Sequence, residues 1–132
     1  LHIPERPKLF AACRAALKPG GVMYIEDFGK SRPVSADEAK ALSVKVQCAG
    51  LPDKAEYESH LVAAGFGDVS ISDVTASWKD FTASRLAMFR AARARGIEVH
   101  GREIVDDLDD FYATVAQLFH DGAIAGLKIE AR

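Results

Sequence analysis

The chain has 132 residues, 48% of them apolar, and a formal net charge of −2. That length suits one core and is too short for two, and the near-neutral balance gives no overall field to draw nucleic acid or an anionic membrane. No apolar run approaches the roughly 20 residues of a membrane span, and no basic segment leads into an apolar one as in a secretory leader, so a cytoplasmic protein is the expectation.

The first residue is Leu1 rather than methionine, which reads as a piece of a longer protein. Pro4 and Pro7 punctuate the opening turn, and Pro7 is tolerable only in a first helical turn, so a helix is expected from near Glu5 to about Leu17. Leu9, Phe10, Cys13 and Leu17 share one of its faces, Lys18 suits the negative end of its dipole, and Pro19-Gly20-Gly21 stops it. Val22 to Ile25 is an unbroken apolar run, expected as a strand buried on both faces inside a parallel sheet. Glu26, Asp27 and Phe28 would then stand at its carboxyl end, where ligands gather in such sheets. The polar segment Gly29 to Pro33 reads as a loop above the sheet.

Ser35-Ala36-Asp37-Glu38 fits a capping box, and Ala41, Leu42 and Val46 follow on the helix it starts. Gly50-Leu51-Pro52 ends that helix. Asp53 caps the next, with Tyr57, Leu61 and Ala64 as its buried stripe and Gly65 as its stop. Val69, Ile71 and Val74 suggest a strand over about 68 to 74, nearer an edge. Trp78, Phe81, Arg85, Leu86 and Phe89 then keep a helical step as far as Gly96. Ile104, Leu108, Phe111, Val115 and Leu118 keep it again as far as Gly122. From Ala123 to Arg132 apolar and other residues alternate, as in a half-buried last strand.

The block Leu9-Phe10, Leu17-Lys18-Pro19-Gly20-Gly21 and Asp27 resembles the fourth helix and fifth strand of class I S-adenosylmethionine-dependent methyltransferases, although other doubly wound proteins carry similar units. Leu1-His2-Ile3, ahead of Leu9-Phe10, is similar to the lead of the phosphoethanolamine-type N-methyltransferases. The resemblance covers nearly the whole chain. It implies an α/β fold: the C-terminal half of a Rossmann-like class I methyltransferase, with the last strand slotted between its two predecessors. Residues 1–132 would be one partial domain, with a helical insertion at 75–121 before the last strand. It further implies S-adenosylmethionine as cofactor and methyl transfer to the nitrogen of a small amine. The glycine-rich turn and the acidic residue that hold the cofactor in this family are not in the sequence, so the fragment alone is expected to be inactive.

His2 is the candidate catalytic residue. In the resembled enzymes this histidine pairs with a tyrosine near the N-terminus and assists deprotonation; a histidine titrates near neutrality and can take the proton an amine must lose before it attacks. For substrate binding, Asp27 could hold an ammonium group, with Phe28 adding cation–π attraction. Phe28 stands where the family has tyrosine. Lys30 could counter an anionic group, and Trp78 occupies a position where relatives also carry tryptophan. The places of the family's phosphate-binding tyrosines and arginine fall on Ser43, Gln47 and Ala49, none of which offers a phenol or a guanidinium fork. A carboxylate-bearing or uncharged amine, as in the similar glycine, sarcosine and dimethylglycine methyltransferases, is therefore at least as plausible as a phosphorylated one.

Neither Cys13 and Cys48 nor the four histidines show ligand spacing, so no metal site is expected. Arg85, Arg90, Arg93 and Arg95 are balanced by Asp106, Asp107, Asp109 and Asp110, which argues for internal pairing rather than nucleic acid. A reading of another class is a noncatalytic dimerisation or interaction module that keeps half of a doubly wound fold, whose strand edges would favour self-association.

Overall fold

Three strands and six helices follow one another in the computed structural model, which describes residues 2–48 and 50–132. Helix α1 spans Arg6–Ala16, with proline in its first turn and Gly20, at φ +77°, turning the chain after it. Strand β1 runs Met23–Lys30, followed by α2 (Ala36–Lys45) and α3 (Lys54–Ala63). Both helices begin with a complete capping box, Ser35 with Glu38 and Asp53 with Glu56. Each box satisfies two backbone donors that a helix start leaves open. Strand β2 (Val69–Asp73) leads into α4 (Thr75–Ala91), α5 (Arg93–His100) and α6 (Arg102–His120), and β3 (Ile124–Ala131) closes the chain.

The sheet order is β1-β3-β2, with both pairings antiparallel. The last strand thus lies between its two predecessors, Ile25 facing Ile129 on one side and Ile71 facing it on the other. Its first four residues, Ile124 to Leu127, are buried whichever way they point. Two layers cover the sheet. Ala125, Leu127, Ile129 and Ala131 pack with Phe10, Tyr57, Leu61 and Phe66 beneath α1 and α3. Ile124 packs with Leu42, Val46, Val115, Leu118 and Phe119 beneath α2 and α6.

Three expectations are corrected. The central strand is β3, whereas β1 pairs on one side only among the described residues, and Val22 just before it and Tyr24 within it are 42% and 50% exposed. Met23 and Ile25, on the other face, pack on the α1–α3 cluster. Nor does β1 end at Ile25: it continues through Glu26, Asp27 and Phe28 to Lys30, so Asp27 is an interior strand residue opposite Leu127. Finally, Gly96 does not stop a helix. It lies inside α5, where a Cβ would come 3.3 Å from Val105, and the chain turns instead at Gly101, φ +86°. Gly96 serves close helix packing, not termination.

The arginine-rich and aspartate-rich faces meet each other. Arg90 forms a two-pronged pair with Asp109 at 2.9 and 2.8 Å, Arg93 pairs with Asp106, and the Arg85 guanidinium lies over the Tyr112 ring. Among the described residues no helix is long and apolar enough to cross a membrane, and no cluster of side chains could hold a metal ion.

Candidate functional site

Strand β1, α1 and the first turn of α3 line a cleft of about 380 Å³ that includes Asp27. Ile3, Arg6, Phe10 and Tyr57 complete its walls. Asp27 is fixed at both oxygens. The Tyr57 hydroxyl donates to Oδ2 at 2.5 Å, and the backbone N–H of Phe28 donates to Oδ1 at 2.8 Å. Tyr57 itself is 1% exposed, on the buried face of α3. Burial, and then the neighbouring Asp27 carboxylate, push its phenol well above the ordinary tyrosine range, while the Arg6 guanidinium pulls the other way. Arg6 is buried and also donates to the Gly50 carbonyl at 3.3 Å.

Ile3 and Arg6 form the wall between this cleft and a second one of about 440 Å³, lined also by His2, Gln47, Glu56 and His60. His2 lines this cleft, with Nδ1 3.2 Å from the Gln47 carbonyl oxygen. The Asp27 carboxylate and the His2 imidazole therefore occupy adjoining clefts. A third cleft, under α6, is lined by His2, Gln47, Lys45 and Phe111.

The other candidates lie elsewhere. Phe28 follows Asp27 in a strand and so projects from the opposite face of the sheet. Its ring packs edge-on against Trp78 and Phe119, with centroids 5.5 and 5.3 Å away. The structure does not bring the Phe28 ring beside the Asp27 carboxylate; Phe28 and Trp78 belong to the aromatic core under α4 and α6. Lys30 is paired with Glu56 at 3.0 Å. That carboxyl is held below its usual range, first by the N–H of Asp53 and then by Lys30. Ser43 and Gln47 present no cation, and Leu1 and Ala49 lie outside the described residues.

Sequence reasoning missed Arg6 and the Tyr57–Asp27 bond. The signal for Tyr57 was its hydroxyl on a stripe destined for burial, since a buried phenol requires a partner. Nothing local named Asp27 as that partner, 30 residues away.

No protein-family model matches the chain. Phosphoethanolamine N-methyltransferase 1 of Zea mays is 30% identical over 128 residues, 97% of this chain and 22% of that protein. In structure the chain superposes on a Galdieria sulphuraria protein assigned as a sarcosine dimethylglycine methyltransferase, with a TM-score of 0.87 at 17% identity, over 100% of this chain and 48% of the other. It also superposes on Haemonchus contortus phosphoethanolamine N-methyltransferase 2, solved with phosphomonomethylethanolamine and S-adenosylhomocysteine. There the TM-score is 0.83 at 21% identity, over 98% of this chain and 30% of the other. The chain carries the C-terminal part of the class I methyltransferase fold. The β1-β3-β2 order places the last strand between its two predecessors, as the resemblance implies. The chain spans about a fifth of the Zea mays relative and about half of the Galdieria one.

Proposed function

We propose that this chain forms the acceptor-binding part of a longer S-adenosylmethionine-dependent N-methyltransferase of the cytoplasm, acting on a small amine. The observation that carries the reading is the doubly hydrogen-bonded Asp27 carboxylate lining a cleft that adjoins the His2 imidazole. A fixed carboxylate attracts a small ammonium ion and orients it, and the His2 imidazole can accept the proton of an amine that reaches from the Asp27 cleft into the adjoining one.

The family's glycine-rich turn and cofactor-binding acid, which hold the methyl donor, are not in this sequence. When bound, the donor supplies an electrophilic methyl group for in-line displacement. The roles assigned to this chain are those of its own side chains: Asp27 binds the amine, His2 takes the proton, and Tyr57 holds the carboxylate in place. Lys30 stands behind the site through Glu56, and Phe28 and Trp78 support the sheet from beneath.

The test is methyl transfer by the longer enzyme to a panel of small amines, with and without a phosphate or carboxylate. Activity that falls at least about a hundredfold in His2→Ala supports the assignment. Unchanged activity in that variant overturns it.

The one-sided pairing of β1, with Tyr24 and Val22 exposed beside it, favours the second reading of a self-associating module. Sedimentation of the 132-residue chain decides that point: a stable monomer counts against it.

A further inference from the structure

Gln47 has φ +55°, the left-handed region, and it is the one non-glycine residue among those described that does so. A side chain makes that conformation costly, and such residues persist where the surroundings require them. Here the turn directs the Gln47 carbonyl oxygen to 3.2 Å from His2 Nδ1. A carbonyl can only accept, so in the neutral ring the proton of that bond resides on Nδ1 and the lone pair is on Nε2. Both residues line the cleft of Arg6, Glu56 and His60 and also the one of Lys45 and Phe111, so the ring stands where the two meet.

We propose that the left-handed turn at Gln47 sets the tautomer of His2, keeping Nδ1–H on the main-chain carbonyl and leaving Nε2 as the proton acceptor. The inference rests on the reading of His2 as the base for the amine. In that step the ammonium N–H bond breaks, its electron pair stays on nitrogen as the nucleophile, and the proton forms a new bond to Nε2. The imidazolium so formed keeps its Nδ1–H on Gln47 O, and the negative end of that carbonyl dipole stabilises the new positive charge. A ring protonated on Nε2 instead would present a donor to the amine and could not take its proton there. Gln47 is thus a positioning residue that acts through its backbone.

The test reads the tautomer directly, from the ring nitrogen shifts of His2 in the 15N-labelled chain at a pH where the ring is neutral. A pyrrole-type Nδ1 and a pyridine-type Nε2 are expected. Gln47→Gly, which adopts φ +55° freely, should keep that pattern, and Gln47→Val, whose branched side chain disfavours it, should lose it. The amide spectrum away from the loop verifies that each variant is folded, and Gln47→Ala serves where the valine variant is not. In the longer enzyme, Gln47→Val should lower kcat about tenfold or more with KM unchanged, and Gln47→Gly should recover kcat to within about twofold. A proton found on Nε2 in the parent chain, or an unchanged tautomer in folded Gln47→Val, overturns the proposal. If His2→Ala abolishes methyl transfer while the parent ring carries its proton on Nε2, only this inference fails. If His2→Ala remains fully active, it is the base assignment that fails, and the proposal with it.

Discussion

The Trp78 ring rests on the backbone of Gly126: a Cβ built on that glycine would lie 2.7 Å from indole Cδ2 and 2.8 Å from Cε3. The contact joins the first turn of α4 to the middle of the central strand, reinforced by the Val74 N–H bond to the Gly126 carbonyl at 2.9 Å. Phe28, opposite Gly126 in the register, packs against the same ring. Gly126→Ala is therefore expected to destabilise the chain by about 1–3 kcal/mol through overpacking. Urea unfolding measures the loss. In a double-mutant cycle with Trp78→Leu, much of it should be recovered, because a smaller side chain makes room for the new methyl group.

A second expectation concerns Tyr57 and Asp27. Tyr57→Phe removes the hydroxyl that donates to the carboxylate and should cost about 1–3 kcal/mol near neutral pH. The pH dependence has a definite sign. Because the folded-state phenol is raised above its ordinary value of 10.0 by burial and by Asp27, its contribution is fully present below about pH 10. Above that value the unfolded chain ionises while the folded one resists, and stability falls. The alkaline decline of the urea midpoint should be shallower in Tyr57→Phe. An equally steep decline in both proteins would show that Tyr57 does not cause it.

Local signals were legible to the residue where short-range chemistry decides. The capping boxes at Ser35 and Asp53 occur as read, because a side chain three residues away supplies both partners. Tertiary choices were not. Gly96 and Gly101 look alike in sequence, yet only the second has a positive φ, and the first is fixed by its approach to Val105. The apolar run Val22 to Ile25 promises burial on both faces, but only one is buried there: Met23 and Ile25 pack on the α1–α3 cluster, whereas Val22 and Tyr24 are exposed. Asp27 and Phe28 make one site only if the strand ends before them. Because it continues to Lys30, the alternation of strand side chains sends them to opposite faces. The turn at Gln47 had no sequence signal at all, because glutamine carries no preference for a left-handed backbone.

Glu38 sets the acid behaviour of the α2 start. Its carboxyl accepts from both terminal nitrogens of Arg32, at 2.9 and 2.7 Å, and from the Ser35 N–H at 2.8 Å. The Arg32 hydrogen bond first, and the Ser35 backbone second, bring it from 4.5 down to about 2. A depressed carboxyl contributes stability above its unfolded value and loses that contribution as the pH falls toward the folded one. Between pH 4.5 and about 2, then, part of the acid decline belongs to this residue. Glu38→Gln keeps an N3 side chain able to accept from Ser35 N–H but has no charge to titrate. Its unfolding midpoint should vary less across that window than the parent's, and an identical acid limb would remove Glu38 from the account.

The charge of Asp27 separates binding from architecture. Asp27→Asn is close in volume and keeps an acceptor for either the Tyr57 hydroxyl or the Phe28 N–H, so the fold should survive with a loss of about 1 kcal/mol. A neutral amide does not attract an ammonium ion as a carboxylate does. Hydrogen bonds to charged groups are worth about 1.5–3 kcal/mol, which converts to roughly a tenfold to hundredfold rise in KM for a cationic amine. Because the proton still has His2 to go to, kcat should change much less than KM. Initial-rate kinetics on the longer enzyme, beside a thermal unfolding curve of the same variant, give both quantities. A KM that stays within about twofold of the parent in a folded variant would show that Asp27 does not meet the amine.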